Sequence, residues 1–366
     1  MKSNKKKKKR IGGTIKYLVM ILVISAVLAG SGILLSNDLF ALAKPDKDIT
    51  VTIPEDATVG EVSKLLDKSG VIHYGSLFHL FTSTVYKDVE FRPGMWTLNS
   101  NMDYRAIVNQ IRLTSKSTVT VTIPEGYTVN EIVDTLVKNG LSSKQELQSA
   151  LQNDTFNYDE FDEDYPFLKN IKNKSERYYK LEGYLFPDTY EFYLSDSADT
   201  IINKMLGNFE NKLNDASNGK SLAQICKEKD LSVSDMVIIA SITQKESVNS
   251  EDMYNVSSVI HNRLNNASEY PYLNMDTTVV YAVGHKNLTK ADLKSDSPYN
   301  TYTSKGLPPG PICNPGMDAL KEAANPNQTD YYYFVADDAG TKHLYAKTLA
   351  DHNKNIAQLE AEAKSN

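Results

Sequence analysis

An uncharged apolar run near the N-terminus, from Tyr17 to Leu35, restricts what this chain can fold into more than any other part of its sequence. Its 19 residues would span about 28 Å as a helix, close to the hydrocarbon thickness of a bilayer. The run has no polar face, which disfavours a buried core helix. The basic cluster Lys5–Arg10 precedes it and the first acidic residue, Asp38, follows it. The positive-inside bias therefore places the N-terminus in the cytoplasm and the body outside.

A cleaved signal peptide is the alternative interpretation, because Ala41-Leu42-Ala43 offers an Ala-x-Ala cleavage pattern. The apolar run is longer than the usual core of about 7–15 residues in a signal peptide, and the pattern lies beyond its end. Both observations favour a retained anchor. We therefore predict a cytoplasmic tail at residues 1–16, one transmembrane helix at residues 17–36 and an extracytoplasmic body.

The charge balance argues against nucleic acid as a partner. The chain has 40 Lys and Arg against 46 Asp and Glu, a net charge of −6, although residues 1–36 contain basic side chains and no acidic ones. The body is therefore strongly acidic and suits no polyanion. With only two cysteines, Cys226 and Cys313, and no His-x-x-x-His pair, neither a disulfide scaffold nor a metal site is expected, and no cofactor is expected.

One segment of the body is repeated. The sequence Val-Thr-Ile-Pro-Glu occurs at 51–55 and again at 121–125, and 11 of 21 positions agree between 51–71 and 121–141. Each copy predicts a strand that ends at proline, then a helix that begins with a capping box and ends at glycine. The corresponding positions are Thr58 and Glu61 with Gly70, and Thr128 and Glu131 with Gly140.

The repeats have two interpretations. Glycan-binding modules of the LysM type share a strand–helix opening, and a duplicated packing unit without a ligand fits the pattern as well. The sequence predicts an α+β protein with a linker at residues 37–48. It predicts a first repeat region at 49–115, a second, LysM-like region at 116–165, and a mixed α/β domain at 170–360.

The segment 238–247 is the strongest candidate for chemistry. An apolar helix is predicted to carry Glu246 at its C-terminal end. The negative end of the helix dipole and an apolar wall would both favour the protonated carboxyl and raise its pKa. A general acid needs that state near neutral pH. The same pattern fits an ordinary helix-end glutamate that is exposed to water.

Several segments carry a family resemblance. The pair Glu246-Ser247 after an apolar helix resembles the Glu-Ser pair of lysozyme-like lytic transglycosylases. Leu181-Glu-Gly-Tyr-Leu-Phe-Pro-Asp-Thr-Tyr, Val259-Ile-His-Asn-Arg-Leu and Ser297-Pro-Tyr-Asn-Thr-Tyr are similar to the endolytic murein transglycosylase (YceG-like) family. The order of anchor, LysM-like region and catalytic domain also fits. The resemblance covers nearly all of residues 17–355.

This resemblance implies a catalytic domain with a lysozyme-like glutamate helix in a bacterial plasma membrane protein. It also implies cleavage of the β-1,4 bond between N-acetylmuramic acid and N-acetylglucosamine in peptidoglycan, which leaves 1,6-anhydro ends. Glu246 would act as general acid and then as general base. The enzyme would work beside the penicillin-binding proteins of wall elongation.

One departure from the family pattern concerns the end of this helix. The family typically reads Glu-Lys-Glu where this chain has Gln244-Lys245-Glu246, and the match to the Glu-Ser pair assigns the acid to Glu246. The residues expected to bind substrate or support the site are Gln244, Ser247, Asn262, Arg263, Asp276, Thr278, Tyr281, Asn300, Tyr302 and Glu182.

Two other functions fit the same sequence. A muramidase-type hydrolase would activate water and need a second acid, for which Asp276 is the nearest candidate. A wall-binding scaffold with an inactive catalytic domain is supported by Gln244, which stands where the family has glutamate. Product analysis distinguishes the three.

Overall fold

The structure is a computed structural model, and its helices and short antiparallel strands confirm the α+β class. It describes residues 4–113, 117–152, 165–217, 219–337 and 339–365. Contacts divide the chain into two compact units, Met1–Thr114 and Ser115–Asn366. Residues 153–164, at the end of the predicted second repeat region (116–165), lie outside the described residues.

The first unit contains four helices and the second contains nine among its described residues. The helices are α1 (Asn4–Phe40), α2 (Val59–Ser69), α3 (Gly75–Val85), α4 (Tyr104–Ile111), α5 (Val129–Lys138), α6 (Lys144–Gln152), α7 (Ala198–Asn214), α8 (Leu222–Glu228), α9 (Val233–Glu246), α10 (Ser250–Asn265), α11 (Asp276–Val283), α12 (Met317–Ala324) and α13 (Leu349–Ser365). The strands are β1 (Asp48–Ile53), β2 (Gly94–Asn99), β3 (Thr118–Thr122), β4 (Thr189–Tyr193), β5 (Tyr333–Ala336) and β6 (His343–Ala346).

The N-terminal helix α1 suits a membrane anchor. The most apolar 18-residue window of its portion Lys16–Phe40 has a mean hydropathy of 2.7, and none of this window is buried. Among the described residues, it is the one helix long and apolar enough to cross a membrane. The helix continues beyond the predicted end at residue 36, so the predicted linker at 37–48 begins inside it.

Asp38 explains why the helix continues. Its side chain is 2 % exposed and accepts hydrogen bonds from the backbone N–H groups of His73 and Tyr74, both at 3.0 Å. The Tyr104 hydroxyl donates to the same carboxylate, and Lys44 Nζ lies 2.9 Å from it. These bonds make the end of α1 part of the first unit rather than a free connector.

The first repeat folds as the sequence predicts at its helix. Thr58 and Glu61 form a complete capping box, and α2 ends at Gly70, whose φ of 83° is left-handed. Strand β1 pairs antiparallel with β2, so Val51 lies opposite Trp96. The first unit therefore packs its repeat against a strand of its own.

The second repeat has the same local structure but a different partner. Thr128 and Glu131 again form a complete capping box at the start of α5. Strand β3, however, pairs antiparallel with β4, which places Val121 opposite Tyr190. The second repeat thus shares its unit with residues 170–360. The division of this unit into a LysM-like region and a catalytic domain stays a prediction.

Helix α9 occupies the centre of the second unit. Met236 to Ile242 are all buried, so the helix has no solvent-facing side along this stretch. A helix that is apolar all round belongs inside a core. It contacts α10, α11 and α12, and its last residue, Glu246, emerges where these elements meet.

We predict that Asp38→Ala destabilises the first unit by about 3–5 kcal/mol, because it leaves the buried Lys44 ammonium without its carboxylate. Trp96, the only tryptophan, is buried in this unit and reports its unfolding through fluorescence in a urea titration. Glu55→Ala removes an exposed carboxylate from the same unit and should change the free energy of unfolding by no more than about 0.5 kcal/mol. Equal midpoints for the two variants would contradict this account of the junction.

Candidate active site

Glu246 lies at the junction of α9 and α11. It is the last residue of α9, and its side chain keeps some accessible surface while the carboxyl group is closely surrounded by protein atoms. Its Oε1 accepts hydrogen bonds from the Thr277 hydroxyl at 2.7 Å and the Thr277 backbone N–H at 3.3 Å. Thr277 is in the first turn of α11, so the carboxyl group faces a helix N-terminus.

Opposing effects act on the pKa of Glu246. Burial is the largest and raises the pKa above its ordinary value, and the nearby Asp276 carboxylate raises it further. The two Thr277 hydrogen bonds and the His343 ring lower it. Burial prevails, so the net direction is upward. This carboxyl therefore keeps its proton to higher pH than an ordinary glutamate does and still has donors for its charged form.

Glu182 is a second buried carboxyl group in the same unit. It is 1 % exposed, and burial raises its pKa to about 8. Its oxygens accept from the Val129 N–H at 3.0 Å, Asn314 Nδ2 at 2.9 Å and the Tyr281 hydroxyl at 3.0 Å. Tyr281 lies one turn after Thr277 on α11, so this helix contacts both carboxyl groups.

Asn314 is the neighbour that connects Glu182 to the surrounding backbone. Its Oδ1 accepts from the N–H groups of Gly183 and Leu185 at 3.0 and 2.9 Å. Its Nδ2 donates to Tyr127 O as well as to Glu182, both at 2.9 Å. Since the Asn314 side chain is fully buried and fully bonded, it fixes the loop that precedes α12.

The two residues before Glu246 make side-chain hydrogen bonds to protein backbone groups. Gln244 Oε1 accepts from the Gly316 N–H at 2.9 Å, and Lys245 Nζ donates to Gly126 O at 3.1 Å. The Ser247 hydroxyl is buried and has no hydrogen-bond partner among the described residues. Gln244 therefore serves a loop contact in this structure, which an amide oxygen makes as well as a carboxylate does.

Asp276 and Tyr302 lie next to Glu246. Asp276 is exposed at the start of α11 and accepts a 2.5 Å hydrogen bond from the Tyr302 hydroxyl. The Glu246 carboxylate contributes to the raised pKa of Tyr302, as burial and Asp276 do more strongly. Of the predicted supporting side chains, Asp276, Tyr302 and Arg263 interact electrostatically with Glu246.

Four other predicted residues make bonds that hold the fold. Asn262 Nδ2 donates to Thr329 O and Tyr331 O, both at 2.9 Å. The other three bond mainly to backbone carbonyls as well: Arg263 to those of Tyr332 and Leu273, Thr278 to that of Met275, and Asn300 to those of Leu293 and Ser295. Their polar groups are therefore committed to the protein in this structure.

The sequence did not identify three groups that shape the site. Thr277 has no distinguishing signal beyond its place between Asp276 and Thr278. Asn314 stands in an Asn-Pro-Gly turn, a signal that predicts a loop but not a bond to Glu182. The Val129 N–H is a backbone group that side-chain patterns do not reveal.

Metal ligands and thiols do not enter this geometry. In the part of the chain that the structure describes, no group of three or more His, Cys, Asp or Glu side chains is placed to hold a metal ion. Cys226 and Cys313 are both buried free thiols, and burial raises the pKa of each.

Comparisons with known proteins agree in pointing to one family. Residues 51–358 match the YceG-like family. The endolytic murein transglycosylase of Bacillus subtilis is 33 % identical over 344 residues, which cover 90 % of this chain and 90 % of that protein. The endolytic murein transglycosylases of two Streptococcus pneumoniae strains are 31 % identical over 370 residues, or 93 % of this chain. This chain spans 65 % of their length.

A solved structure is also similar. The yceG-like protein lmo1499 from Listeria monocytogenes superimposes with a TM-score of 0.58 at 30 % identity. The match covers 85 % of this chain and 99 % of that one.

We predict that Gly183→Ala destabilises the turn that carries Glu182 more than a left-handed backbone alone requires. An added Cβ at Gly183 (φ +90°) would lie 2.5 Å from Pro311 Cγ and 2.8 Å from Val237 Cγ1. Gly284→Ala is the matched control, because Gly284 (φ +78°) has open space around it. Circular dichroism in urea should give a cost of about 1 kcal/mol for the control and about 1–3 kcal/mol more for Gly183→Ala. Equal costs would refute the close packing of this turn.

Proposed function

The chain belongs to the YceG-like family, and from that premise we propose that it is a membrane-anchored endolytic lytic transglycosylase of peptidoglycan. It cleaves the bond between N-acetylmuramic acid and N-acetylglucosamine within glycan strands and leaves 1,6-anhydro ends. The observation that carries the proposal is the environment of Glu246. This residue is partly accessible, burial raises the pKa of its carboxyl group, and its charged form accepts a hydrogen bond from Thr277.

One carboxyl group performs both proton transfers in this mechanism. Protonated Glu246 donates its proton to the glycosidic oxygen as the bond to C1 breaks. The Glu246 carboxylate then takes the proton from the C6 hydroxyl of the muramoyl sugar, whose oxygen bonds to C1. No water is consumed, so a second carboxylate is not needed, in contrast to hydrolytic glycosidases.

The site supports both protonation states that this cycle needs. Burial favours the acid that begins the cycle. The hydroxyl and N–H of Thr277, at the positive end of α11, favour the carboxylate that forms next. Asp276 and Tyr302 lie beside Glu246 and are the side chains we assign to substrate contact. Tyr281, Gln244 and Glu182 support the site through the bonds that they make to protein groups.

The finer features of the fold belong to the same proposal. Helix α9 with Glu246 at its end takes the part of the lysozyme-like glutamate helix, and the two strand–helix repeats are LysM-like. Helix α1 crosses the plasma membrane once, with the basic tail in the cytoplasm and both units outside. This anchor keeps the enzyme beside nascent strands and the penicillin-binding proteins of wall elongation, where cleavage ends glycan growth.

We predict that Glu246→Gln lowers the rate of cleavage by at least about 10²–10⁴-fold, because an amide cannot donate the proton. Mass spectrometry of digested sacculi should detect anhydro ends from the wild type and almost none from the variant. Glu251→Gln changes an exposed glutamate at the start of α10 and should leave the rate unchanged.

The same digests distinguish the alternatives. Reducing ends instead of anhydro ends would indicate a hydrolase, for which the exposed Asp276 beside Glu246 is the second acid. A folded wild type that binds glycan and yields no product would indicate a wall-binding scaffold. Either result contradicts the proposed function.

We predict that Thr277→Val moves the basic limb of the pH profile of kcat/KM to higher pH. The Thr277 hydroxyl lowers the pKa of Glu246 by bonding to its charged form, so its removal raises that pKa further. Because the general acid must be protonated, activity then persists to higher pH. A limb that stays in place or moves to lower pH would contradict the role of Thr277.

A further inference from the structure

The second repeat makes hydrogen bonds to residues of the active-site unit, and the first repeat makes no equivalent bonds among its described residues. In α5, the N–H of Val129, the first residue of the helix, donates to both oxygens of Glu182, at 3.0 and 3.2 Å. In α2, the corresponding residue is Val59, whose N–H makes no hydrogen bond within the described part of the chain. The two helices share a capping box, so the difference lies in Glu182.

The loop that leads into α5 contacts the end of the glutamate helix. The Gly126 N–H donates to Asn314 O at 2.8 Å, and Gly126 O accepts from Lys245, the residue before Glu246. Asn314 in turn donates to Glu182. The loop before α5 is therefore bonded both to Lys245, which precedes Glu246, and to Asn314, which bonds Glu182.

Glu182 continues this connection to α11. Its Oε2 accepts from the Tyr281 hydroxyl, and Tyr281 lies four residues, about 6 Å along the helix, after Thr277. Thr277 is the residue that bonds Glu246. One buried carboxyl group thus holds the start of α5 and the helix that orients Glu246.

We propose that Glu182 is a positioning residue that joins the second repeat to α11, so that the repeat sets the position of Thr277 against Glu246. The inference rests on the proposed function. Glu182 does not contact the reacting atoms in this account. An isosteric glutamine keeps one oxygen for these donors but places an NH2 group at the other position, so the bond that Glu182 accepts from the Tyr281 hydroxyl is lost or reversed. A small displacement at the reacting centre can cost about 10²-fold in rate.

Proline substitution tests the link from the repeat. Proline is tolerated at the first position of a helix and removes the N–H, and Thr128 (φ −77°, ψ 163°) already has the extended conformation that precedes proline. Val129→Pro therefore deletes the bond to Glu182 without interrupting α5, and it also exchanges a buried valine side chain for the proline ring, so the fold of the variant is checked by circular dichroism. Val59→Pro is the matched control, since Thr58 (φ −70°, ψ 158°) has the same conformation. We expect kcat to fall about 10–100-fold for Val129→Pro and to be unchanged for Val59→Pro.

Tyr281→Phe tests the link to α11 and does not depend on the proline variant folding. It keeps the ring that stacks on Tyr178 at 5.6 Å and removes only the hydroxyl that donates to Glu182. We expect kcat to fall with little change in KM. In a Glu182→Leu background, which removes both oxygens, Tyr281→Phe and Val129→Pro should each cause almost no further loss, because both act through Glu182.

The pH profile separates positioning from general damage. Misfolding lowers the whole profile, whereas release of Thr277 raises the pKa of Glu246 and moves the basic limb upward, as in Thr277→Val. The other titratable or charged groups near these carboxyls are Asp276, His343 and Arg263 at Glu246, and Glu131 and Lys245 at Glu182, and all five are kept.

The full-length protein in detergent, with purified glycan strands as substrate, is used throughout. The positioning role would be overturned if the wild type gives anhydro products and the Val129→Pro and Tyr281→Phe variants match Val59→Pro in both rate and pH profile. That result would leave the proposed function intact. A wild type without anhydro products would instead overturn the proposed function.

Discussion

The carboxyl group of Glu246 meets two opposing demands, and the second unit is arranged around both. As the last residue of the buried helix α9 it loses water, which raises its pKa. It also faces the first turn of α11, where the Thr277 hydroxyl and N–H stabilise its charge. A carboxyl that was only buried would keep its proton, and one that was only bonded would lose it early. The combination suits a group that gives up a proton and takes one back.

The balance between burial and hydrogen bonding at Glu246 depends on the position of α11. This helix is bonded at Tyr281, one turn away from Thr277. Tyr281 joins it to Glu182, and Glu182 receives the start of α5 and the Asn314 side chain. The second repeat therefore makes bonds that the first lacks, although 11 of 21 positions agree between their strand–helix segments. One buried glutamate bonds the second of these segments to α11. A single buried carboxylate also acts in the first unit, where Asp38 bonds the end of α1 to the backbone of His73 and Tyr74.

The sequence predicted what local rules govern. Both capping boxes, the apolar anchor helix and the helix that ends at Glu246 follow from residues within a turn or two of one another. The sequence did not predict the hydrogen bonds between segments that are distant along the chain. Nothing local indicates that β3 pairs with β4 and not with its neighbours, or that Asn262 and Asn300 bond backbone carbonyls in place of a ligand. Glu182 was identified as a candidate, but its partners, Val129 and Asn314, were not.

Cleavage in water enriched in ¹⁸O tests the central claim most directly. It shows whether water, which a single-carboxyl cycle does not consume, enters the product. Purified glycan strands would be digested by the full-length protein, and the new muramoyl ends analysed by mass spectrometry. The account predicts anhydro ends that contain no heavy oxygen, because the C6 oxygen of the sugar itself closes onto C1. New ends that carry ¹⁸O at C1 would mean that water attacks there, and that Glu246 does not work alone.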